Sequence, residues 1–112
     1  MSVSNLELLR HIEEEIGFIL QHTTGKSKGE VFADAVLSRA IVRSLEIIGE
    51  ASRKIDTAFK EKHPQIEWRK MAGTRDRLIH DYFGVDNDIV WDIIETKLPQ
   101  LQKDVSAILQ SE

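Results

Sequence analysis

Cysteine is absent from this chain of 112 residues, and long hydrophobic runs are absent as well. Without cysteine there is no disulfide, thiolate nucleophile or cysteine-based zinc site, and a reducing compartment suits such a chain. No apolar run approaches the roughly 18 residues that a membrane span needs, so we expect no membrane partner. The N-terminus has no basic region followed by an apolar one, which predicts no secretory signal and a cytoplasmic protein.

The chain also lacks a glycine-rich phosphate loop and a Ser/His/Asp arrangement, so most enzyme classes have no residues to support them. The histidines other than His80 are scattered without the spacing of metal ligands. We therefore expect no metal and no cofactor. The length, and the lack of any repeat or linker, predict a single domain over residues 1–112.

Negative charge exceeds positive charge, with a formal net charge of −4, which at first argues against a nucleic-acid partner. The charge is segregated, however. Residues 37–80 hold ten Lys/Arg and six Asp/Glu, a balance of +4, and the remaining residues hold five and thirteen, a balance of −8. Two interpretations of this basic middle stay open. One is ordinary surface variation, and the other is a functional surface, either a phosphate-binding patch or a contact between chains.

Apolar residues recur with helical spacing, and no segment is a convincing strand, so the sequence predicts an all-α fold. Short loops favour an antiparallel bundle of about five helices. The first predicted helix starts at Ser4 and is followed by a loop at 21–28, and the second runs from Ser27 or Glu30 to Ile55. A short third helix at 58–62 follows the cap Asp56. The fourth spans 68–83 and ends at Gly84, and the fifth is capped by residues 86–88 and is kinked or divided by Pro99.

The predicted second helix has a charged stripe beside its apolar face. Its members are Arg39, Arg43, Glu46, Glu50 and Arg53. Their spacing fits a water-facing stripe with internal ion pairs. The alternative is a contact surface for a second subunit or for the active site, with Glu50 and Arg43 as its members.

Arg75 stands where an arginine is not expected, within the apolar stripe of the predicted fourth helix. At about 100° per residue, that stripe consists of Trp68, Met71, Ala72, Ile79, Tyr82 and Phe83. A guanidinium there needs a partner, because an unpaired buried charge costs several kcal/mol. A glycine in mid-helix, such as Gly73, lowers helix stability by about 1 kcal/mol relative to alanine. Close approach of another backbone or of a substrate would explain a glycine at this position.

His80 follows Arg75 by five positions and is the side chain best suited to proton transfer near neutral pH. The two lie about 140° apart on a helix, so a joint site needs a distorted helix end or a second copy of the chain across a two-fold axis. Asp76, one turn before His80, could orient the imidazole. These residue types suit cleavage of RNA by its own 2′-hydroxyl, which needs an acid, a base and positive charge on the phosphorane. A structural ion pair for Arg75 and His80, with Tyr82 as a core residue, is the alternative.

Residues 75–82 fit the pattern R-x4-H-x-Y. With this motif, the chain resembles the HepT-like branch of the HEPN superfamily. The segments that agree are 45–51, 66–68, 83–86, 89–92 and 98–99, so that the resemblance covers nearly the whole chain. Asp76 stands where family members commonly have a polar residue, often asparagine.

The resemblance implies a helical bundle that forms a homodimer with its Arg–His motifs at the interface. It implies a metal-independent ribonuclease toxin that acts on RNA, with tRNA as the expected target, and that has Arg75, His80 and Asp76 at its site. The implied antitoxin is a small nucleotidyltransferase of the MntA type, which transfers AMP from ATP to Tyr82 and so silences the nuclease. Two alternatives stay open, a non-catalytic helical binding subunit of a nucleotidyltransferase and a plain dimeric scaffold.

Overall fold

The computed structural model describes residues 4–81 and 84–112, and this part of the chain is almost entirely helical. The all-α prediction is confirmed. None of the helices described has the length and hydropathy of a membrane span. The elements are α1 (Asn5–Thr23), α2 (Lys28–Ala33), α3 (Ala35–Lys54), α4 (Thr57–Lys62), α5 (Trp68–Ala72), α6 (Thr74–Leu78), β1 (Ile79–Asp81), β2 (Gly84–Val85), α7 (Asn87–Asp92), a π-helical turn (Ile93–Lys97) and α8 (Leu98–Ser111).

The core lies between the two longest helices, α1 and α3, with α8 packed on α1 and α5 packed on α3. Ile12, Ile16 and Ile19 of α1 are fully buried, and Ile41 and Leu45 of α3 face them from the same core cluster. Each such side chain contributes up to about 1.5–3 kcal/mol relative to an exposed one. The apolar stripes of the sequence therefore identify the core correctly.

The prediction of one continuous second helix is wrong, because Asp34 divides it. The Asp34 N–H closes α2 on the carbonyl of Val31, and the Asp34 side chain accepts the backbone N–H groups of Val36 and Leu37 at the start of α3. Aspartate is favoured at this capping position because its carboxylate satisfies amides that have no helical partner. Val36 was predicted in the apolar face but is 81% exposed, since it lies in the first turn of the new helix.

Asp56 precedes α4, but its side chain makes no capping hydrogen bond there. Its carboxylate accepts from Asn5 Nδ2 at 3.2 Å, and its backbone N–H donates to Asn5 Oδ1 at 3.1 Å. The predicted cap is thus replaced by a reciprocal pair that joins the start of α1 to the turn between α3 and α4.

The predicted fourth helix, 68–83, is also wrong as a single element. Its first part ends at Gly73, which has φ −88° and ψ 4°, and its second part ends at Leu78. The chain then continues as β1, which pairs antiparallel with β2 so that Ile79 lies opposite Val85. Gly84 belongs to β2 and is not a helix cap. Strands of three and two residues are too short to show the alternation that identifies a strand in sequence.

Asp86 caps α7 as predicted, since its carboxylate accepts the N–H groups of Asp88 and Ile89 at 3.0 and 3.1 Å. A π-helical turn then leads into α8, and Pro99 lies in the first turn of α8. Proline has no N–H to donate to the preceding turn, and its ring crowds that turn. A wider turn relieves this crowding, which agrees with the division predicted at Pro99.

Candidate functional site

The sequence motif spans a change from helix to strand. Arg75 and Asp76 lie on α6, and His80 lies on β1. Tyr82, the predicted modified residue, and Phe83 lie outside the described residues. Because α6 ends at Leu78, the angle expected for a continuous helix no longer relates Arg75 to His80. One way to form a joint site was a distorted end of this helix. In the structure the helix ends before His80, and a strand follows it.

Buried side chains fix α6 against the bundle. Leu78 is fully buried, and Thr74 is 6% exposed with its hydroxyl donating to the carbonyl of Lys70 at 3.0 Å. The buried row of this segment therefore continues from Trp68 and Met71 to Thr74 and Leu78. The predicted stripe left out Leu78, although its spacing of seven residues from Met71 fits a helical period.

Asp76 is exposed, and its backbone N–H donates to the carbonyl of Gly73 at 3.1 Å. Arg77, the next residue, is also exposed and its N–H reaches the same carbonyl at 3.4 Å. Asp76 is thus a solvent-accessible carboxylate on the motif helix. Its predicted role in orienting His80 stays a prediction.

Gly49 on α3 allows the end of α5 to come close. A Cβ at this position would lie 3.2 Å from the carbonyl oxygen of Met71 and 3.5 Å from that of Ala72. At Gly73, by contrast, the nearest atoms to a Cβ are the carbonyls of Arg69 and Lys70 in the preceding turn. The close approach of another backbone that we expected at Gly73 therefore occurs at Gly49.

Arg53, one turn after Gly49, completes this contact. Its Nη2 donates to the carbonyl oxygen of Ala72 at 2.9 Å, and its Nη1 lies 3.6 Å from Glu50 Oε2. The carbonyl of Ala72 is one of those that a helix end leaves without an internal partner. Sequence reasoning gave Gly49 no role and placed Arg53 only in the charged stripe. A glycine within an apolar helix face was the signal available for this contact.

The charged stripe borders an open polar cavity of about 510 Å³ between α1 and α3. Arg43, Glu50 and Arg53 line this cavity, together with His11 and Lys54. The Glu50–Arg53 pair is one of the ion pairs expected for a water-facing stripe, and an exposed pair of this kind contributes about 0–1 kcal/mol. A contact role for Arg43 and Glu50 stays a prediction, although Arg53 places the foot of the stripe beside α5.

These features define a small helical bundle whose candidate site lies where a short helix, α6, passes into a hairpin. Residues 12–108 match the family described as Ribonuclease HepT-like. The chain belongs to this HepT-like ribonuclease family.

Three relatives match over about nine-tenths of their length. The chain is 47% identical to Putative RNase TTE0752 of Caldanaerobacter subterraneus subsp. tengcongensis, over 93% of each protein. It is 41% identical to the Probable ribonuclease HepT of Thermococcus cleftensis, over 91% of this chain and 93% of the relative. It is 37% identical to Putative RNase MJ1380 of Methanocaldococcus jannaschii, over 89% of this chain and 92% of the relative. No solved structure matches the chain.

Proposed function

We propose that this protein is a metal-independent endoribonuclease and the toxin of a HepT–MntA type toxin–antitoxin pair. The observation that carries the proposal is the end of α6 at Leu78, between Arg75 and His80, in a chain of the HepT-like family. The names of the relatives support ribonuclease activity. The basic balance of residues 37–80 supports an RNA substrate, because phosphate neutralisation dominates nucleic-acid affinity.

In the proposed reaction, the 2′-hydroxyl oxygen of RNA attacks the adjacent phosphorus, and the bond from phosphorus to the 5′-oxygen breaks. A base removes the hydroxyl proton, and an acid supplies a proton to the leaving 5′-oxygen. His80 acts as the base or as the acid in these two proton transfers. A homodimer would bring a second His80 to the same groove. Arg75 stabilises the charge on the phosphorane with paired hydrogen bonds.

Asp76 supports the imidazole of His80 by accepting a hydrogen bond in this scheme. Its exposed position on α6 makes it accessible to a neighbouring group or to a substrate. An asparagine retains an acceptor oxygen, whereas an alanine does not. Asp76→Asn should therefore keep more ribonuclease activity than Asp76→Ala.

The test of the nuclease is cleavage of labelled RNA, including tRNA, by purified protein in the presence and absence of EDTA. Wild-type protein should cleave equally in both, and His80→Ala and Arg75→Ala should each lose about 10²–10⁴-fold in rate. His22→Ala, an exposed histidine on α1, is the matched control and should cleave normally. Normal cleavage by His80→Ala would rule out the role assigned to His80.

The proposed regulation is AMPylation of Tyr82 by an MntA-type nucleotidyltransferase. The tyrosine oxygen attacks the α-phosphorus of ATP, AMP is transferred to the tyrosine, and pyrophosphate leaves. The added phosphate and adenosine would repel and obstruct RNA phosphates at the groove. Mass spectrometry after co-expression should detect additions of AMP on wild-type protein, and Tyr82→Phe should carry none.

A non-catalytic helical subunit of a nucleotidyltransferase is the second candidate, and the net charge of −4 favours it. In that case Arg75 is structural. Arg75→Ala would then lower the melting temperature strongly, and purified wild-type protein would leave RNA intact.

A further inference from the structure

A second cavity, of about 280 Å³, adjoins the motif helix. Thr74 and Arg77 bring α6 to its wall, and the rest of the lining comes from α3, residues 65–67, α5, the π-helical turn and α8. Its floor is apolar and buried, and is formed by Leu45, Ile48, Ile66, Ile93 and Leu98. The volume lies just below the range for ligand pockets, about 300–1,000 Å³, which suits one small ligand.

The rim of this cavity carries three cations and two carboxylates. Lys70 binds Glu67 at 2.8 Å. This hydrogen bond, followed by the charges of Lys70, Lys97 and Arg77, lowers the pKa of Glu67. Glu67 is therefore committed to Lys70, whereas Arg77 and Lys97 are exposed cations on the same rim.

The other polar side chains of the rim include an amide and a carboxylate on α8. Gln100 Nε2 donates to Asp104 Oδ1 at 3.1 Å, and both side chains line the cavity. Together they present donor and acceptor atoms beside an apolar floor. A flat heterocycle with a polar edge fits such a surface, and an anionic group fits the exposed cations on the rim.

We propose that this cavity binds one nucleotide, with the base on the apolar floor, its polar edge towards Gln100 and Asp104, and the phosphate on Arg77 and Lys97. Arg77 lies two residues after the motif residue Arg75 on α6, and the proposal assigns the bound nucleotide to the RNA strand that is cut. The cavity is then a specificity subsite for a base near the scissile phosphate. This second step rests on the proposed ribonuclease function, whereas nucleotide binding itself does not.

Binding is tested on the wild-type protein by calorimetric titration with AMP, GMP, CMP, UMP and inorganic phosphate. Mononucleotides contain no internucleotide bond, so cleavage cannot confuse the measurement. At least one nucleotide should bind about tenfold or more tightly than phosphate, which corresponds to about 1.4 kcal/mol. Equal affinity for all five probes, or no saturable binding, would overturn the proposal.

Charge-reversal variants locate the binding. Lys97→Glu and Arg77→Glu should each weaken the preferred nucleotide about tenfold or more, because a charge-assisted contact to phosphate is lost. Lys103→Glu on α8 and Arg69→Glu on α5 make the same charge changes at exposed positions outside the cavity, and should leave affinity unchanged. Weakening by all four variants alike would mean diffuse electrostatic attraction, and the assignment to this cavity would be wrong.

The RNA step is tested by mapping the cuts that wild-type protein makes in RNA with a randomised sequence. The base enriched beside the cut should be the one whose mononucleotide binds best, and Lys97→Glu should lose this enrichment. Unbiased cutting by the wild type would overturn the subsite. If the wild type cuts no RNA, the proposed ribonuclease function fails, and the mononucleotide titrations still decide whether the cavity binds a nucleotide.

Discussion

Arg53 donates from Nη2 to the carbonyl oxygen of Ala72 at 2.9 Å and thereby joins α3 to the last residue of α5. Gly49, one turn earlier on α3, lets the same helix end approach to within backbone contact. Two residues of α3 therefore contact the C-terminal end of α5. Because α6 begins directly after Gly73, these contacts adjoin the start of the helix that carries Arg75.

Replacing Arg53 should affect activity more than stability. The side chain is about half exposed, so Arg53→Met should lower the free energy of unfolding by about 1 kcal/mol or less. Under the proposed ribonuclease function, a shift of α6 should lower the RNA cleavage rate at least about tenfold, because catalysis depends on exact placement of the reacting groups. Urea unfolding and cleavage kinetics measure the two effects.

Arg53→Lys retains a cationic donor and should recover part of the cleavage rate. Arg39→Met, an exposed arginine near the other end of α3, is the control and should change neither property. An Arg53→Met protein that cleaves at the wild-type rate would show that the Ala72 contact does not position the site.

A pair of glycine substitutions tests the close approach of α3 to α5. Gly49→Ala should destabilise the protein by about 1–3 kcal/mol, because the new Cβ meets the carbonyl of Met71 at 3.2 Å and backbone must move. This cost exceeds the gain of up to about 1 kcal/mol that alanine brings to a helix. Chemical denaturation of the variant and the wild type measures the difference.

Gly17→Ala is the matched control, since Gly17 lies within α1 and a Cβ at this position would meet no atom within 4 Å. This variant should be more stable than the wild type by up to about 1 kcal/mol. Opposite signs at the two glycines are expected. A stabilised Gly49→Ala protein would mean that α5 can move away without cost.

The sequence predicted the helical bundle well because its information lies in long apolar stripes. The stripes of α1, α3 and α8 extend over several turns, and their periodicity identifies most of the buried residues. The breaks at Asp34 and Gly73 were missed for a different reason. An aspartate or glycine within an amphipathic pattern is compatible with a continuous helix, and only packing against neighbours decides which structure forms.

The candidate site was predicted only as a set of residues. The residue types of Arg75 and His80 indicated a joint site, and the angle between their helical directions indicated that the site needs either a distorted helix end or a second copy of the chain. The short hairpin that follows α6 depends on the pairing of β1 with β2 and on the hydrogen bond from Asp86 N–H to the carbonyl of Leu78 at 2.8 Å. Such contacts leave no periodic signal in the sequence, so the sequence did not predict the two short strands that follow α6.

The capping box of α2 should make stability depend on pH. The Ser27 N–H donates to Glu30 Oε1 at 3.0 Å, and this bond is the main reason that the pKa of Glu30 is lowered. A carboxyl whose pKa is lower in the folded state stabilises that state above its unfolded pKa, and the contribution is lost as pH falls through the folded pKa.

Glu30→Gln should therefore be less stable than the wild type at about pH 7, and the difference should shrink towards about pH 3. Thermal unfolding of both proteins across this range measures it. Glu14→Gln, which changes an exposed carboxylate on α1, is the control. A difference between Glu30→Gln and wild type that does not vary with pH would show that the carboxylate charge plays no part in the cap.

Two substitutions on α6 should separate packing from chemistry within a single helix. Leu78 is fully buried, so Leu78→Ala should cost about 2–5 kcal/mol of stability and should lower activity through the displaced helix. Asp76 is exposed, so Asp76→Ala should change stability by no more than about 0.5 kcal/mol, while the proposed support for His80 is lost. Denaturant unfolding and RNA cleavage rates, measured on the same preparations, give the effect of each variant on stability and on activity. If Asp76→Ala cleaves normally, Asp76 does not support the imidazole; if it loses activity at unchanged stability, its contribution lies in the reaction itself.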